Sequence, residues 1–190
     1  YEIVDTPPGE AAAAGRGVQL IHEGKGEVLM KGSLHTDEIM RAVTAKVGGL
    51  RTDRRISHVF IMDVPAYTET VFVTDAAINI FPDLDVKRDI IQNAIDLYTQ
   101  IGIGKLPRVA ILSAVETVTA KIPSTIEAAA LCKMADRGQI TGGVLDGPLA
   151  FDNAVDLEAA RIKGIKSEVA GRAQILVVPD LESGNMLAKN

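Results

Sequence analysis

Short apolar runs alternate along this chain with longer stretches of helical period, and that alternation limits the folds open to it more than any other feature. Residues 27–31, 56–62, 71–74, 109–112, 144–145 and 175–178 are β-rich or continuously apolar over a few positions. Such runs are the mark of strands covered on both faces. Between them lie helical stripes. Ala11, Ala14, Val18 and Ile21 share one face of a first helix, which Gly24 stops. His35-Thr36-Asp37-Glu38 opens a second, with Thr36 as its cap and two acids in the first turn, where the helix dipole favours them. Ile39, Val43 and Val47 form its buried face, and Gly48-Gly49 ends it. Val86, Ile90, Ile91, Ala94, Ile95, Tyr98 and Ile101 make a third stripe, ended by Gly102 and Gly104. Ser124-x-x-Glu127 after Pro123 predicts a capping box on a helix reaching about Arg137. Residues 151–163 read as one further helix. The runs 56–62 and 71–74, joined through Pro65, predict an antiparallel hairpin. The pattern as a whole predicts an α/β fold, three layers (α/β/α) about a mixed sheet, with a domain boundary near residues 48–52.

Composition narrows the function classes. Hydrophobic residues are 47% of the 190 and charged residues 24%, which excludes an intrinsically disordered chain. Aromatics are 4% with no Trp, so the core is aliphatic. A net charge of −5 gives no global positive field to draw in nucleic acid, and no nucleic-acid partner is expected. No stretch approaches the roughly 20 apolar residues that span a bilayer, and no signal-peptide shape opens the chain, so no membrane partner is expected either. Cys132 is the only cysteine, which excludes an internal disulfide framework and a multi-cysteine zinc site and fits a reducing, cytoplasmic compartment. The chain opens on Tyr1 and ends at Asn190 in what reads as the first turn of a helix, so its length is expected to measure a segment of a longer protein.

The common catalytic signatures are missing: there is no Gly-rich dinucleotide or P-loop motif, no Gly-x-Ser-x-Gly and no His-Glu-x-x-His. His22, His35 and His58 fall in three different elements, so no metal site is expected. Cys132, mid-helix beside Leu131, reads as a small hydrophobe and not as a nucleophile. What remains are the loops after the strands, where open α/β sheets bind their ligands. Gly32 lets a backbone approach a ligand closely; Ser33, Thr36 and the free amides of a helix start suit an oxyanion or phosphate; Lys31 and Arg41 offer charge-assisted bonds to it. Each has a plain structural reading beside the functional one. Thr36 serves as a cap without any ligand, and Arg41, on the face away from Ile39 and Val43, reads as a solvated arginine. Ser113 and Asp75 satisfy turns, and Arg51, Arg54 and Arg55 form either a phosphate gripper or a solvated linker. The residues alone describe an α/β protein with an anion-friendly cleft.

The order of these loops resembles the phosphate acetyl/butyryltransferase family. The carriers are Met30-Lys31-Gly32 with His35-Thr36-Asp37, Leu50-Arg51-Thr52 with Ile56-Ser57-His58-Val59, and Thr74-Asp75-Ala76-Ala77-Ile78-Asn79. They continue through Ala114-Val115-Glu116-Thr117, Lys133-Met134-Ala135-Asp136-Arg137-Gly138, Asp146-Gly147-Pro148-Leu149-Ala150-Phe151-Asp152-Asn153, Val169-Ala170-Gly171 and Val178-Pro179-Asp180-Leu181-Glu182-Ser183-Gly184-Asn185. The pattern is most similar to the butyryltransferase-like branch, which includes phosphate acetyltransferase domains fused behind an enoyl-CoA hydratase-like domain. The resemblance implies an isocitrate/isopropylmalate dehydrogenase-like architecture with two domains flanking a cleft. Residues 1–50 would be part of an outer domain, 51–178 the central domain and 179–190 a return to the outer one. It implies reversible acyl transfer between CoA and inorganic phosphate, with acyl-CoA and phosphate as substrates, no cofactor, no metal and a homodimer. Arg41 matches a family arginine near CoA or phosphate; Lys31, Gly32, Ser33, His35 and Thr36 belong to the same loop; Asn79 and Ser113 match cleft-facing positions more loosely. The resemblance puts the family's Ser-Arg pair and following Asp beyond Asn190, so the catalytic residues are unknown and this chain alone is expected to have little activity. Two alternatives stand beside this reading. One is a non-catalytic ligand-binding or dimerisation module on the same fold. The other, an NAD- and metal-dependent decarboxylating dehydrogenase, is opposed by the lack of a carboxylate cluster suited to Mg²⁺. The choice between acetyl and butyryl groups is not legible in the residues.

Overall fold

The computed structural model describes residues 2–104 and 106–189. Asn190, past which the resemblance puts the family's Ser-Arg pair and Asp, lies outside the described residues, so the segment expected over 179–190 is followed to Lys189. Two compact units divide the chain between Arg54 and Arg55. The first is helical. Helix α1 (Glu10–His22) buries Ala14 and Val18, and α2 (Thr36–Val43) packs beside it. Gly24, past the end of α1, takes the left-handed conformation expected of a helix stop. Three expectations fail in this unit. Residues 27–31 are not a strand: they lie in the irregular stretch between α1 and α2, and Val28 and Met30 are 85% and 89% exposed. Leu29 instead seats on α1, where a Cβ at Gly17 would come within 2.8 Å of its Cδ1. Val47 is not part of the buried face, because α2 ends at Val43 and the Thr44 hydroxyl turns back onto the Met40 carbonyl at 2.7 Å. Thr36 is the first helical residue and not the cap; His35 holds the cap position, and its amide donates to Glu10 Oε2 at 3.0 Å.

The second unit is a three-layer sandwich, as the alternation predicts. Strands β1 (Val59–Met62) and β2 (Val71–Thr74) form the antiparallel hairpin. Helix α3 (Leu84–Gln100) leads to β3 (Arg108–Leu112), α4 (Pro123–Asp136) to β4 (Val144–Leu149), and α5 (Phe151–Val155) with α6 (Leu157–Ile162) to β5 (Ile175–Val177); α7 (Leu181–Ala188) follows. The sheet order is β1-β2-β5-β3-β4, and every pairing except β1–β2 is parallel. Because successive side chains point to opposite faces, each buried strand feeds two cores. Phe72, Val109, Ile111, Ile175 and Val177 meet α3 and α4 through Ile91, Ala94, Ile95, Ala128 and Leu131. Val71, Val73, Ala110, Leu112, Leu176 and Val178 meet Ala154, Ala160, Val169 and the end of α7 on the other side. Both cores are aliphatic apart from Phe72 and Tyr98, whose rings stack edge to face at 5.3 Å.

Two helix starts differ from expectation. In α4, Ile122 occupies the cap position and Pro123 the first turn, so Ser124 and Glu127 are free of capping duty. The buried Thr125 hydroxyl ties the preceding loop instead, donating toward the Thr119 and Ile122 carbonyls and accepting from the Thr119 amide. The single helix expected over 151–163 breaks at Asp156, whose extended backbone ends α5 and whose carboxylate caps α6 through the amides of Glu158 and Ala159. Residues 179–189, assigned from the resemblance to a return into the outer domain, group with the second unit: α7 lays Leu187 and Ala188 on the sheet, and Gly184 sits against Val178.

Candidate functional site

The sheet topology selects a place within the second unit. After β3 the chain leaves for α4 on one face, and after its neighbour β5 it leaves for α7 on the other. Adjacent parallel strands whose connections part in this way open a crevice at their carboxyl ends, where α/β proteins bind ligands. Strand β2, on the far side of β5, also leads to the α3 face. There the chain ties itself together: the amide of Val178 donates to Thr74 O, that of Leu181 to Ile80 O, and Asn185 Nδ2 to Ala76 O, at 2.9–3.1 Å.

The turn after β2 is built around one carboxylate. Asp75 is 3% exposed and joins Thr74 through a cis peptide bond. Its Oδ1 accepts the amides of Ala77 and Ile78 at 3.0 Å, and its Oδ2 accepts the amide of Asn79 at 3.1 Å and Asn79 Nδ2 at 2.6 Å. Asn79 is itself buried and fully engaged: Nδ2 also donates to Ile56 O at 3.0 Å, and Oδ1 accepts from Arg55 Nε at 3.3 Å. Each polar atom of the Asn79 side chain thus has a partner within the protein.

The turn after β3 carries hydroxyls. Ser113, buried, donates its amide to Leu149 O, and its Oγ lies 2.8 Å from Ser124 Oγ in the first turn of α4. Farther along this loop Glu116 bonds Lys163 Nζ at 3.2 Å and accepts from Asn153 Nδ2 at 3.4 Å. Its own backbone amide, and then Lys163, hold the Glu116 carboxyl below the usual carboxylate range. Asn153 is fully buried, with Oδ1 unpartnered among the described residues. The first turns of α3 and α4 are joined by Lys87, 4% exposed, which pairs with Glu127. The sequence reading missed both Lys87 and Ser124. The first hid in the position next to an apolar stripe, and the second was assigned to a cap it does not form.

In the first unit, Lys31, Gly32, Ser33, His35 and Thr36 lie on one exposed stretch that ends at the start of α2. Lys31 Nζ reaches Gly32 O at 3.4 Å, and His35 stands beside Glu10. Arg41, one helical turn on, is exposed and donates to Glu38 through Nη1 at 3.0 and 3.2 Å. Asn79 and Ser113 belong to the second unit. The structure thus gathers the sequence-derived site residues within each unit: the 31–41 stretch in one, the strand-end turns in the other.

Cys132 has no nucleophilic character. Burial pushes its thiol up to about 12, with Asp146 and Asp136 adding to the effect. At neutral pH a thiol reagent is therefore expected to label it far more slowly than an unperturbed cysteine. The linkage follows in sign. The folded state holds the proton to about pH 12 while the unfolded thiol releases it near 9, so stability falls as pH rises through that window. Cys132→Ala is expected to flatten this part of the stability profile, measured by denaturant titration at pH 8 to 10; an unchanged slope would contradict the assignment.

Among the described residues, no three His, Cys, Asp or Glu side chains converge to hold a metal ion, and no helix is long and apolar enough to cross a membrane. A separate groove of about 590 Å³ lies against the other face of the sheet, lined mainly by apolar side chains such as Tyr67, Val73, Phe151, Leu157 and Leu187.

Comparison with known proteins adds what geometry alone does not. The family profile described as phosphate acetyl/butaryl transferase matches residues 11–190. A phosphate acetyltransferase of Rhizobium meliloti is 78% identical over 189 residues, covering 100% of this chain and 59% of that protein. A phosphate butyryltransferase of Clostridium acetobutylicum is 44% identical, covering 100% of this chain and 62% of its own length. The chain therefore spans about three-fifths of the curated relatives it matches. Among solved structures, a branched-chain phosphotransacylase from Enterococcus faecalis superposes with a TM-score of 0.86 at 31% identity, covering 100% of this chain and 70% of that one.

Proposed function

We propose, because this chain belongs to the phosphate acetyl/butyryl transferase family, that it takes part in reversible transfer of an acyl group between CoA and inorganic phosphate. The observation that carries the reading is the match itself: acetyl- and butyryltransferases align with the chain along its whole length. The chemistry is balanced without a further reactant. A hydrogen phosphate oxygen attacks the thioester carbonyl, a tetrahedral oxyanion forms, the C–S bond breaks, and the departing thiolate takes up the proton that the phosphate gives up, leaving CoA and acyl phosphate.

Such a reaction asks for donors to the oxyanion, cations for phosphate, and two substrates held together. In this reading the Ser113 and Ser124 hydroxyls at the strand-end crevice, which bond each other, serve as neutral donors. Lys31, Gly32, Ser33, His35, Thr36 and Arg41 form a substrate-binding stretch, with Arg41 as its charged member. Asn79 acts at one remove, since its polar atoms are taken. The reading also includes a homodimer, a cytoplasmic location and no cofactor beyond the two substrates.

The test is to supply the intact protein with acyl phosphate and CoA and follow thioester formation over a series of acyl lengths. Thioester is expected to form with saturation in both substrates, the length series giving the preferred acyl group. Absence of thioester at every chain length would overturn the reading.

A further inference from the structure

Arg55 is exposed, yet both its backbone and its side chain are held at the carboxyl end of this sheet. Its backbone amide donates to Asp89 Oδ2 at 2.9 Å, and its carbonyl accepts from Asn93 Nδ2 at 2.8 Å, both partners on α3. Its side chain is held as well, through Nε to Asn79 Oδ1 at 3.3 Å. Asn79 in turn has no freedom to swing away, because Asp75 and the Ile56 carbonyl take its amide protons. The result is a guanidinium held at its inner edge.

The acids nearby are engaged elsewhere and bond neither terminal nitrogen. The Asp89 oxygen that does not hold the Arg55 amide is bonded by Arg88 through Nε and Nη2. Asp75 spends its carboxylate on the amides of its own turn and on Asn79. Among the described residues no acceptor bonds either terminal nitrogen of Arg55. A long side chain held in one pose loses rotamer freedom, and a solvated arginine has no cause to accept that cost. A planar fork already held in place loses little more on binding, and it matches two oxygens of a phosphoryl group.

We propose that Arg55 is a phosphoryl-binding residue and that Asn79 is its positioning residue. The inference rests on the acyl-transfer reading for the identity of the ligand, which is a phosphoryl group of one of the two substrates. Two sources share that chemistry, the phosphate that exchanges with CoA and the phosphates that CoA carries.

The experiment is steady-state kinetics of the intact protein with Arg55→Ala, Arg55→Lys and Asn79→Ala, varying phosphate and CoA separately, with thermal midpoints measured beside them. Arg55→Ala is expected to raise the KM of one substrate by about ten- to a hundredfold, the range for losing a charge-assisted contact, with kcat changed far less. A rise confined to phosphate assigns the exchanging phosphate, and a rise confined to CoA assigns the CoA phosphates. Arg55→Lys is expected to recover only part, because an ammonium has no fork. Asn79→Ala is expected to raise the same KM by a smaller factor, and the double substitution to be less than additive. That pattern separates a positioning role from loss of stability, which lowers the thermal midpoint without selecting one KM. Unchanged KM for both substrates in a folded Arg55→Ala protein overturns the inference. Should the parent protein show no transfer, the acyl-transfer reading fails. Calorimetric titration with pyrophosphate then decides Arg55 by itself, with heat expected from the parent and lost in Arg55→Ala, and equal heats overturning it.

Discussion

Asp75→Ala is expected to lower the thermal midpoint by roughly 6–12 °C and to loosen the whole turn after β2. The carboxylate is buried and accepts four hydrogen bonds, three from backbone amides and one from Asn79. Alanine leaves those donors without acceptors where water has little access. Bonds to a charged group are each worth about 1.5–3 kcal/mol and are not additive, so about 3 kcal/mol in total is a conservative sum. For a protein of this size each kcal/mol moves the midpoint by roughly 2–4 °C. The functional consequence follows along the same bonds. Asn79 loses its anchor, Arg55 loses its orientation, and the KM that responds to Arg55→Ala is expected to rise here too. Asp75→Asn, which keeps one acceptor oxygen, is expected to fall between the two. A midpoint within about 2 °C of the parent, set against the loss expected for a buried acceptor, would show that the turn does not depend on this side chain.

Phe72→Ala is the second large effect expected, at about 3–5 kcal/mol. Phe72 is fully buried at the centre of β2, and its ring meets Tyr98 of α3 edge to face. Apart from Tyr98 the buried side chains of this core are aliphatic, and each is held by neighbours of its own, so the space the Phe72 ring leaves is not readily refilled. Since domains of this kind have a total stability of about 5–15 kcal/mol, the loss is a substantial fraction of the whole. Denaturant titration measures it, and the midpoint is expected to move while the slope stays constant. A loss below about 1 kcal/mol would mean that the cavity collapses, contrary to the packing described.

The second unit was legible in the residues because its signals are redundant. Residues 71–73, 109–112 and 175–178 are apolar at every position, as strands covered on both faces require, and the stripe from Ile90 to Tyr98 has clear helical spacing. Where the signal rested on one local rule, tertiary contacts overrode it. Residues 27–31 have strand-like composition, but a strand needs a ladder partner, and the helices of the first unit provide none. Ser124 and Glu127 have the spacing of a capping box, yet Ser113 and Lys87, remote in sequence, take their side chains. Thr36 follows the same pattern at α2, where the cap position moved one residue back to His35.

The candidate site was legible in part. Its location after the strands follows from topology, and Asp75, Asn79 and Ser113 stand there because small polar residues follow apolar runs. Their division of labour was not legible. Which of them faces a ligand and which holds a neighbour depends on distances such as Asn79 Oδ1 to Arg55 Nε, set by segments that only the fold brings together. Arg55 itself, one of three arginines before the hairpin, gave no sign in the sequence that α3 clamps its backbone.

Acyl transfer to phosphate has a fixed stoichiometry that can be measured. The intact protein is given acyl-CoA and inorganic phosphate, free thiol is followed as CoA leaves, and acyl phosphate is trapped with hydroxylamine and counted. Thiol release is expected to require phosphate and to yield one acyl phosphate for each CoA. Thiol release that continues without phosphate, or that yields no trapped acyl phosphate, would contradict acyl transfer to phosphate.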